Sequence, residues 1–498
     1  MNVNPITRLD YPDPDVIRVE DTYYMVSTTM HFMPGCEILQ SFDLVHWEHV
    51  TYVYETLDHT DAQQLKSGQN IYGQGMWAAS LRYHEGRFYI CFVANDTRKT
   101  YLYNSEKIDG PWKKQLIEGF YHDGSLLFDE DGRSYIVYGN DEIWITELNE
   151  DLTAPKKDGL HRLLVSDHKN PELGYEGSHI QKINGYYYIF LVHSLRDRWM
   201  RTEACFYSDS LEGEFTGGDV LCDDRGYCGQ GVAQGGIVDT PDGKWYAMLF
   251  QDSGAVGRIP ILLPVTWKDH FPFFGQNGHV PEEIEVHSTR PGYIYQPLVG
   301  SDDFCNGLLP RWQFNHDPDP RYYHLDALQG TYTITTREVC TELTQAVNTL
   351  TQRMSYPSCA AEVTVDASAL KEGDVAGLCA FQGCYAAVGI TKHHGKYEVL
   401  MLDKKEDGIL DMTEGTVVES HQMDFRLEAD FCNMKDEARC YYRVNKGDWL
   451  PIGTVHKLYF KLDHFTGCRF GLFCYAAEET GGSACFRDFK YYDVDEIS

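Results

Sequence analysis

Through the first 300 residues the chain alternates short turn signals with apolar, aromatic-rich runs too brief for helices. Five copies of one unit stand out: Glu20-Asp-Thr-Tyr-Tyr24, Glu85-Gly-Arg-Phe-Tyr89, Asp131-Gly-Arg-Ser-Tyr135, Asn184-Gly-Tyr-Tyr-Tyr188 and Asp242-Gly-Lys-Trp-Tyr246. Each reads as a hairpin turn followed by a strand such as Tyr135-Ile-Val-Tyr138. The copies lie roughly 45 to 65 residues apart, the spacing of four-stranded propeller blades. Ser41-Phe-Asp-Leu-Val-His-Trp47, Ser105-Glu-Lys-Ile-Asp-Gly-Pro-Trp112 and Ser208-Asp-Ser-Leu-Glu-Gly-Glu-Phe215 echo one another as outer-strand markers. About twenty strands in a flat meander would curl or split, whereas five units closed on themselves leave few exposed edges.

Residues 289–300 read as a linker, and beyond them the hairpin unit disappears. Strand-like runs then follow at Thr331–Thr336, Ala360–Ala367, Tyr397–Asp403, Phe425–Phe431, Glu437–Val444, His456–Phe465, Cys468–Ala476 and Cys485–Val494, with Gly and Asp turns between them. That pattern predicts a β-sandwich. The expected fold is all-β: a five-bladed propeller over 1–297 and a C-terminal β-sandwich over 298–498. Only Thr60–Gln69 offers a helical stretch.

At 498 residues the chain suits two or three domains, and its net charge of −32 argues against nucleic acid and anionic membranes as partners. The N-terminal Met1-Asn2-Val3-Asn4-Pro5 shows neither a basic nor an apolar leader region, and no apolar run is long enough to span a bilayer. The fifteen cysteines are scattered and several fall in strands, as expected of free thiols in a reducing cytoplasm. Cys222 and Cys228 lack zinc-site spacing, and no metal or other cofactor is expected.

Stepping back about eight residues from each hairpin turn reaches Asp13, Trp77, Asp123, Glu176 and Gln234. In a propeller the first strand of each blade lines the central channel, so these five positions should ring one funnel. Three carboxylic acids together are a costly arrangement for structure and a useful one for acid–base chemistry. Asp13 lies between two prolines and is expected in extended geometry. Glycoside hydrolysis needs a carboxylic acid to protonate the leaving oxygen and a carboxylate to activate water, and a third carboxylate can tune the acid. Asp15 falls outside the eight-residue register and is expected to be structural, and His179 a satisfied core histidine. Trp77 is a candidate sugar platform, Phe32 a candidate apolar wall, and Arg258 a partner for a channel carboxylate or a sugar hydroxyl.

Tyr11-Pro-Asp-Pro-Asp15, His122-Asp-Gly-Ser-Leu-Leu-Phe-Asp-Glu-Asp-Gly132 and Tyr175-Glu-Gly-Ser-His179 resemble the signature blocks of glycoside hydrolase family 43. Gly75-Met-Trp-Ala-Ala79 and the Asp302-Asp-Phe304 opening of the second region extend the likeness over nearly the whole chain. The resemblance implies a five-bladed propeller hydrolase of the β-xylosidase and α-L-arabinofuranosidase type. It implies Asp13 as general base, Asp123 as pKa modulator, Glu176 as general acid and Arg258 as a contact to the terminal sugar. It also implies inversion, with the two carboxyls about 6.5–9.5 Å apart. Gln234 stands where relatives often carry a His near a central cation, and Met30-His31-Phe32 replaces a more aromatic stretch. The expected substrate is a hemicellulose-derived oligosaccharide carrying a terminal xylose, arabinose or either, cleaved by an exo-acting enzyme that the reading allows to be a homo-oligomer. The rival readings are a non-catalytic carbohydrate-binding propeller and a retaining propeller glycosidase.

Overall fold

A computed structural model describes residues 2–413 and 415–493. Five four-stranded antiparallel sheets follow one another in chain order, the first of them setting aside Phe32–Met33, which pairs elsewhere. Their innermost strands are Asp15–Val19, Met76–His84, Ser125–Phe128, Glu176–Ile183 and Val232–Asp239. Each packs against its neighbour, and the fifth returns to the first, so the ring closes. The short pair Asn2–Val3 with Glu283–Ile284 joins the start of the ring to its end. Buried aromatic and β-branched side chains fill the seams between blades, as their alternation along two-sided strands requires.

Beneath the funnel, side chains of the inner strands reach across to the next blade. Asp15 accepts the Leu81 amide (2.7 Å), Ser80 the Leu126 amide (3.1 Å) and Ser125 the Ile180 amide (3.0 Å), while His179 Nδ1 returns to Asp15 (3.1 Å). Arg82 plugs the axis, pairing with Asp15 at 2.8 Å and donating to Ser125 and to the carbonyls of Leu126 and Ile180. Asp15 and His179 therefore hold the blades together, the structural roles their sequence positions indicated.

The C-terminal region stacks a nine-stranded sheet on a seven-stranded one around one apolar core, and the other face of the nine-stranded sheet carries a second apolar cluster. Most runs expected from sequence are strands; the one expected at Cys485–Val494 spans Ser483–Asp493, and Val494 lies outside the described residues. Two expectations fail. The run at His456–Phe465 is a strand only to Lys457, because the chain then turns away to lie over the propeller. Thr60–Gln69 forms turns and one 3-10 turn, Lys66–Gly68; left-handed Leu65 and Ser67 (φ 53° each) break any α-helix there.

The two regions are welded at several points. Phe32–Met33, inserted in the first blade, is the edge strand of the larger sandwich sheet and pairs with Phe314 and Asn315. Arg353 from the sandwich lies 4.1 Å over the Tyr11 ring, donates to the Asp10 carbonyl (2.9 Å) and pairs with Glu37 (2.8 Å), both charges almost fully buried. Removing one member of such a pair strands the other in a low-dielectric interior. Arg353→Ala is thus expected to cost about 3 kcal/mol or more, read as a lower denaturant midpoint.

Candidate active site

Five residues with positive φ stand at the mouths of the inner strands: Asp13 (51°), Ala78 (33°), Asp123 (48°), Gly177 (65°) and Gln234 (63°). This set corrects the eight-residue register, since Trp77 and Glu176 each precede the equivalent position by one residue, where a bulge interrupts the pairing of their strands. It also corrects the extended geometry expected for Asp13 from its flanking prolines. Asp tolerates the left-handed region better than most residues, and strain of this kind persists where the surrounding structure fixes it. The turn it makes directs a carboxylate into the funnel. Gly177 has no such latitude: a Cβ there would lie 2.7 Å from the Gln234 side chain.

Asp13 is buried with both oxygens fixed: Oδ1 takes Arg258 Nη1 at 3.0 Å and Oδ2 the Thr28 hydroxyl at 2.6 Å. Thr28 in turn accepts the Ala78 amide at 2.8 Å. Asp123 Oδ2 accepts the Gly177 amide at 3.0 Å, which ties the third blade to the residue after Glu176. Glu176 Oε2 takes Asn140 Nδ2 at 2.9 Å and lies 3.5 Å from His122 Nε2, which is itself 3.6 Å from Asp123. The Glu176 side chain is 18 % exposed against 8 % for Asp13, so Glu176 faces the open side of the funnel and Asp13 its floor.

The charges of Asp13 and Glu176 both act on His122, Asp123 and Arg201, placing the two acids in one electrostatic cluster. Burial, reinforced by Glu176 and Asp13, raises the Asp123 carboxyl to about 6. The adjoining Asp123 carboxylate, aided by Glu176, raises His122 to about 9 against the pull of burial. His122 is therefore an imidazolium at neutral pH. A histidine that gains acidic partners on folding contributes stability fully present below its unfolded pKa of about 6.5 and lost as pH rises through about 9. The melting temperature should accordingly fall across that window, and His122→Gln should flatten the fall.

His122, Asp123 and Glu176 offer ligand atoms within 4.8 Å of one another, the one such group of metal-binding side chains among the described residues. A metal ion there would have to displace the proton that these carboxylates favour on His122.

The sandwich closes the other side. Phe465, on the loop after Lys457, packs tilted against Trp77 with ring centroids 5.5 Å apart and lies 4.2 Å under the Arg258 guanidinium. Phe460 and Phe250 also face that guanidinium. Asp10 fixes the arrangement by accepting the Arg258 amide (2.7 Å) and the Gly467 amide (2.8 Å). The indole N–H of Trp77 and Nε of Arg258 are buried donors without a protein partner, the type of group that binds sugar hydroxyls.

Of the expected site residues, Asp13, Asp123, Glu176, Trp77 and Arg258 come together here. Gln234 stands beside Gly177, its main-chain N–H donating to Glu203 Oε2 at 2.7 Å. Phe32 is a correction: it is fully buried in the apolar cluster on the outer face of the larger sandwich sheet, with the Arg469 guanidinium 3.5 Å over its ring, because its strand belongs to that sheet. Thr28, Asn140 and Phe465 were not foreseen. Thr28 and Asn140 are polar residues at the ends of second strands, a legible signal; Phe465 carries none, being far away in sequence and in the other region.

The family model described as glycosyl hydrolases family 43 matches residues 3–272, and that of the beta xylosidase C-terminal concanavalin A-like domain matches 301–492. A beta-xylosidase of Formosa agariphila is 26 % identical, the match covering 99 % of this chain and 89 % of that protein. A non-reducing end alpha-L-arabinofuranosidase of Bacteroides ovatus is 24 % identical over 82 % of this chain and 79 % of that protein. The solved structure of a bifunctional GH43-CE protein of Bacteroides eggerthii superposes with a TM-score of 0.93 at 42 % identity. That match takes in 99 % of this chain but 64 % of the longer one.

Proposed function

The chain belongs to glycosyl hydrolase family 43, and on that premise we propose that it removes a terminal pentose, β-D-xylose or α-L-arabinofuranose, from short hemicellulose-derived oligosaccharides with inversion. The observation that carries this reading is the one cluster formed by buried Asp13 and Asp123 with half-buried Glu176, walled by Trp77, Arg258 and Phe465. The names of the Formosa and Bacteroides ovatus relatives support a pentose as the sugar released.

In this mechanism Glu176 gives its proton to the glycosidic oxygen as the bond from the anomeric carbon breaks and its electron pair leaves with that oxygen. A water attacks the opposite face of the sugar and passes its proton to Asp13. Thr28 and Arg258 hold the Asp13 carboxylate in one orientation, and Asp123 fixes the backbone beside Glu176 through the Gly177 amide. Phe465 and Phe460, contributed by the sandwich, wall one side of the funnel, which supports the end of a short chain over the middle of a polymer as substrate.

Fifteen free cysteines, ten of them buried, support a reducing compartment such as the cytoplasm. The net charge of −32 supports a neutral sugar, and neither nucleic acid nor an anionic membrane, as partner. Among the described residues no helix is long and apolar enough to cross a membrane.

The test is turnover of 4-nitrophenyl β-D-xylopyranoside, 4-nitrophenyl α-L-arabinofuranoside and the matching oligosaccharides, with the released sugar followed by proton NMR. The expected first product has the opposite anomeric configuration to the substrate. Binding without turnover, or a product that keeps its configuration, overturns the proposal.

A further inference from the structure

His122 occupies a position the acid–base pair alone does not require. Its Nε2 lies 3.5 Å from Glu176 Oε2 and 3.6 Å from Asp123 Oδ2, nearly equidistant from both carboxyls. Its main chain is anchored by the Gly139 amide, which donates to the His122 carbonyl at 3.0 Å. The next residue, Asn140, donates to the same Oε2 of Glu176. Two donors from the third blade therefore converge on one oxygen of the acid, leaving Oε1 as the oxygen free to carry its proton.

The groups around the imidazole come from four blades. Asp123 adjoins it on its own blade, Glu176 faces it from the fourth, and Asp13 acts on it from the first. Trp77 of the second blade packs beside it with ring centroids 6.2 Å apart and brings no charge.

From this geometry we propose that His122 is a positioning residue whose positive charge stabilises the carboxylate that Glu176 becomes as its proton moves to the leaving oxygen. The inference rests on the assignment of Glu176 as general acid. No bond to His122 forms or breaks; the proton travels from Glu176 to the departing oxygen, and the imidazolium remains protonated throughout. Before transfer the imidazolium faces a neutral acid, and after it a full negative charge, so the interaction strengthens along the reaction coordinate and acts on rate. While Glu176 is still protonated, the adjoining Asp123 carboxylate is the neighbour that most favours the imidazolium, and Asp13 acts in the same direction.

The experiment compares native, His122→Gln and His122→Lys proteins on the pentose disaccharide that the native protein cleaves and on the corresponding 4-nitrophenyl pentoside. A nitrophenolate leaves without protonation, so a group that serves the acid matters little for it. For His122→Gln the expected result is a kcat about 10- to 100-fold lower on the disaccharide and within about threefold of native on the nitrophenyl substrate. KM should change little on either. His122→Lys, which restores a cation, should recover part of the disaccharide rate. Equal losses on both substrates would assign His122 a structural role, and unchanged rates on both would assign it none; either overturns the proposal. Far-UV circular dichroism and melting curves confirm that the proteins compared are folded, and His122→Asn replaces the glutamine variant if that one does not fold. Glu176→Gln, assayed alongside, separates the two levels. If it lacks the same leaving-group contrast, the assignment of the acid fails. If it has the contrast and His122→Gln does not, only the role of His122 falls.

Discussion

Glu176→Gln should abolish most hydrolysis of pentose oligosaccharides, with kcat down about 10²–10⁴-fold, while 4-nitrophenyl pentosides lose far less. The contrast comes from the leaving groups. A sugar alkoxide cannot depart from carbon at neutral pH without a proton, and glutamine has none to give; nitrophenolate departs unaided. The substitution is nearly isosteric and keeps a group able to meet Asn140 and His122, which hold Oε2 in the native protein. Stability should therefore change little, and the loss can be read as chemistry. Michaelis–Menten kinetics on both substrate types, with an unaltered melting curve, checks the expectation. Comparable loss on both would remove Glu176 from the role of proton donor.

Asp13→Asn should behave differently, lowering kcat by about 10²–10⁴-fold on oligosaccharides and nitrophenyl substrates alike, because every leaving group still requires an activated water. This variant also carries a stability cost. The amide can still accept from the Thr28 hydroxyl, but the Arg258 guanidinium, on a residue 2 % exposed, loses the one carboxylate it pairs with among the described residues. A buried guanidinium without its counter-charge costs about 3–5 kcal/mol by analogy with other broken buried pairs. The π faces of Phe465, Phe250 and Phe460 offset part of that. Kinetics at a temperature well below the lowered melting point distinguish lost catalysis from lost fold. A leaving-group dependence like that of Glu176→Gln would count against Asp13 as the base.

The opposite expected behaviour of these two acids follows from placement. Glu176 begins a strand and sits toward the funnel mouth; Asp13 lies in a left-handed turn at the floor, clamped by two donors. That difference is invisible in the motifs, both of which read as an acid next to a small or rigid residue before a strand.

Much of the architecture is local and so was legible in the chain. A hairpin unit repeated five times dictates five antiparallel sheets, because turn chemistry and alternating side chains act over a few residues. The same repetition marked Asp13, Asp123 and Glu176 as neighbours in space, though off by one at Trp77 and Glu176, where bulges shift the register by a residue that no turn signal announces. The free cysteines and the strand pattern of the sandwich follow from composition and periodicity in the same way. What only the tertiary structure decided is how the two regions meet. Phe32 left the sugar site for the apolar cluster on the outer face of the larger sandwich sheet, the run from His456 became a strand and then a loop, and that loop delivered Phe465 to a pocket built from residues between Asp13 and Arg258, far earlier in the chain. Contacts between distant segments are fixed by which buried surfaces fit and which buried charges find partners, as Asp10 finds the amides of Arg258 and Gly467 and Arg353 finds Glu37. Those energies belong to pairs of residues, and a pattern read along one strand at a time contains no record of them.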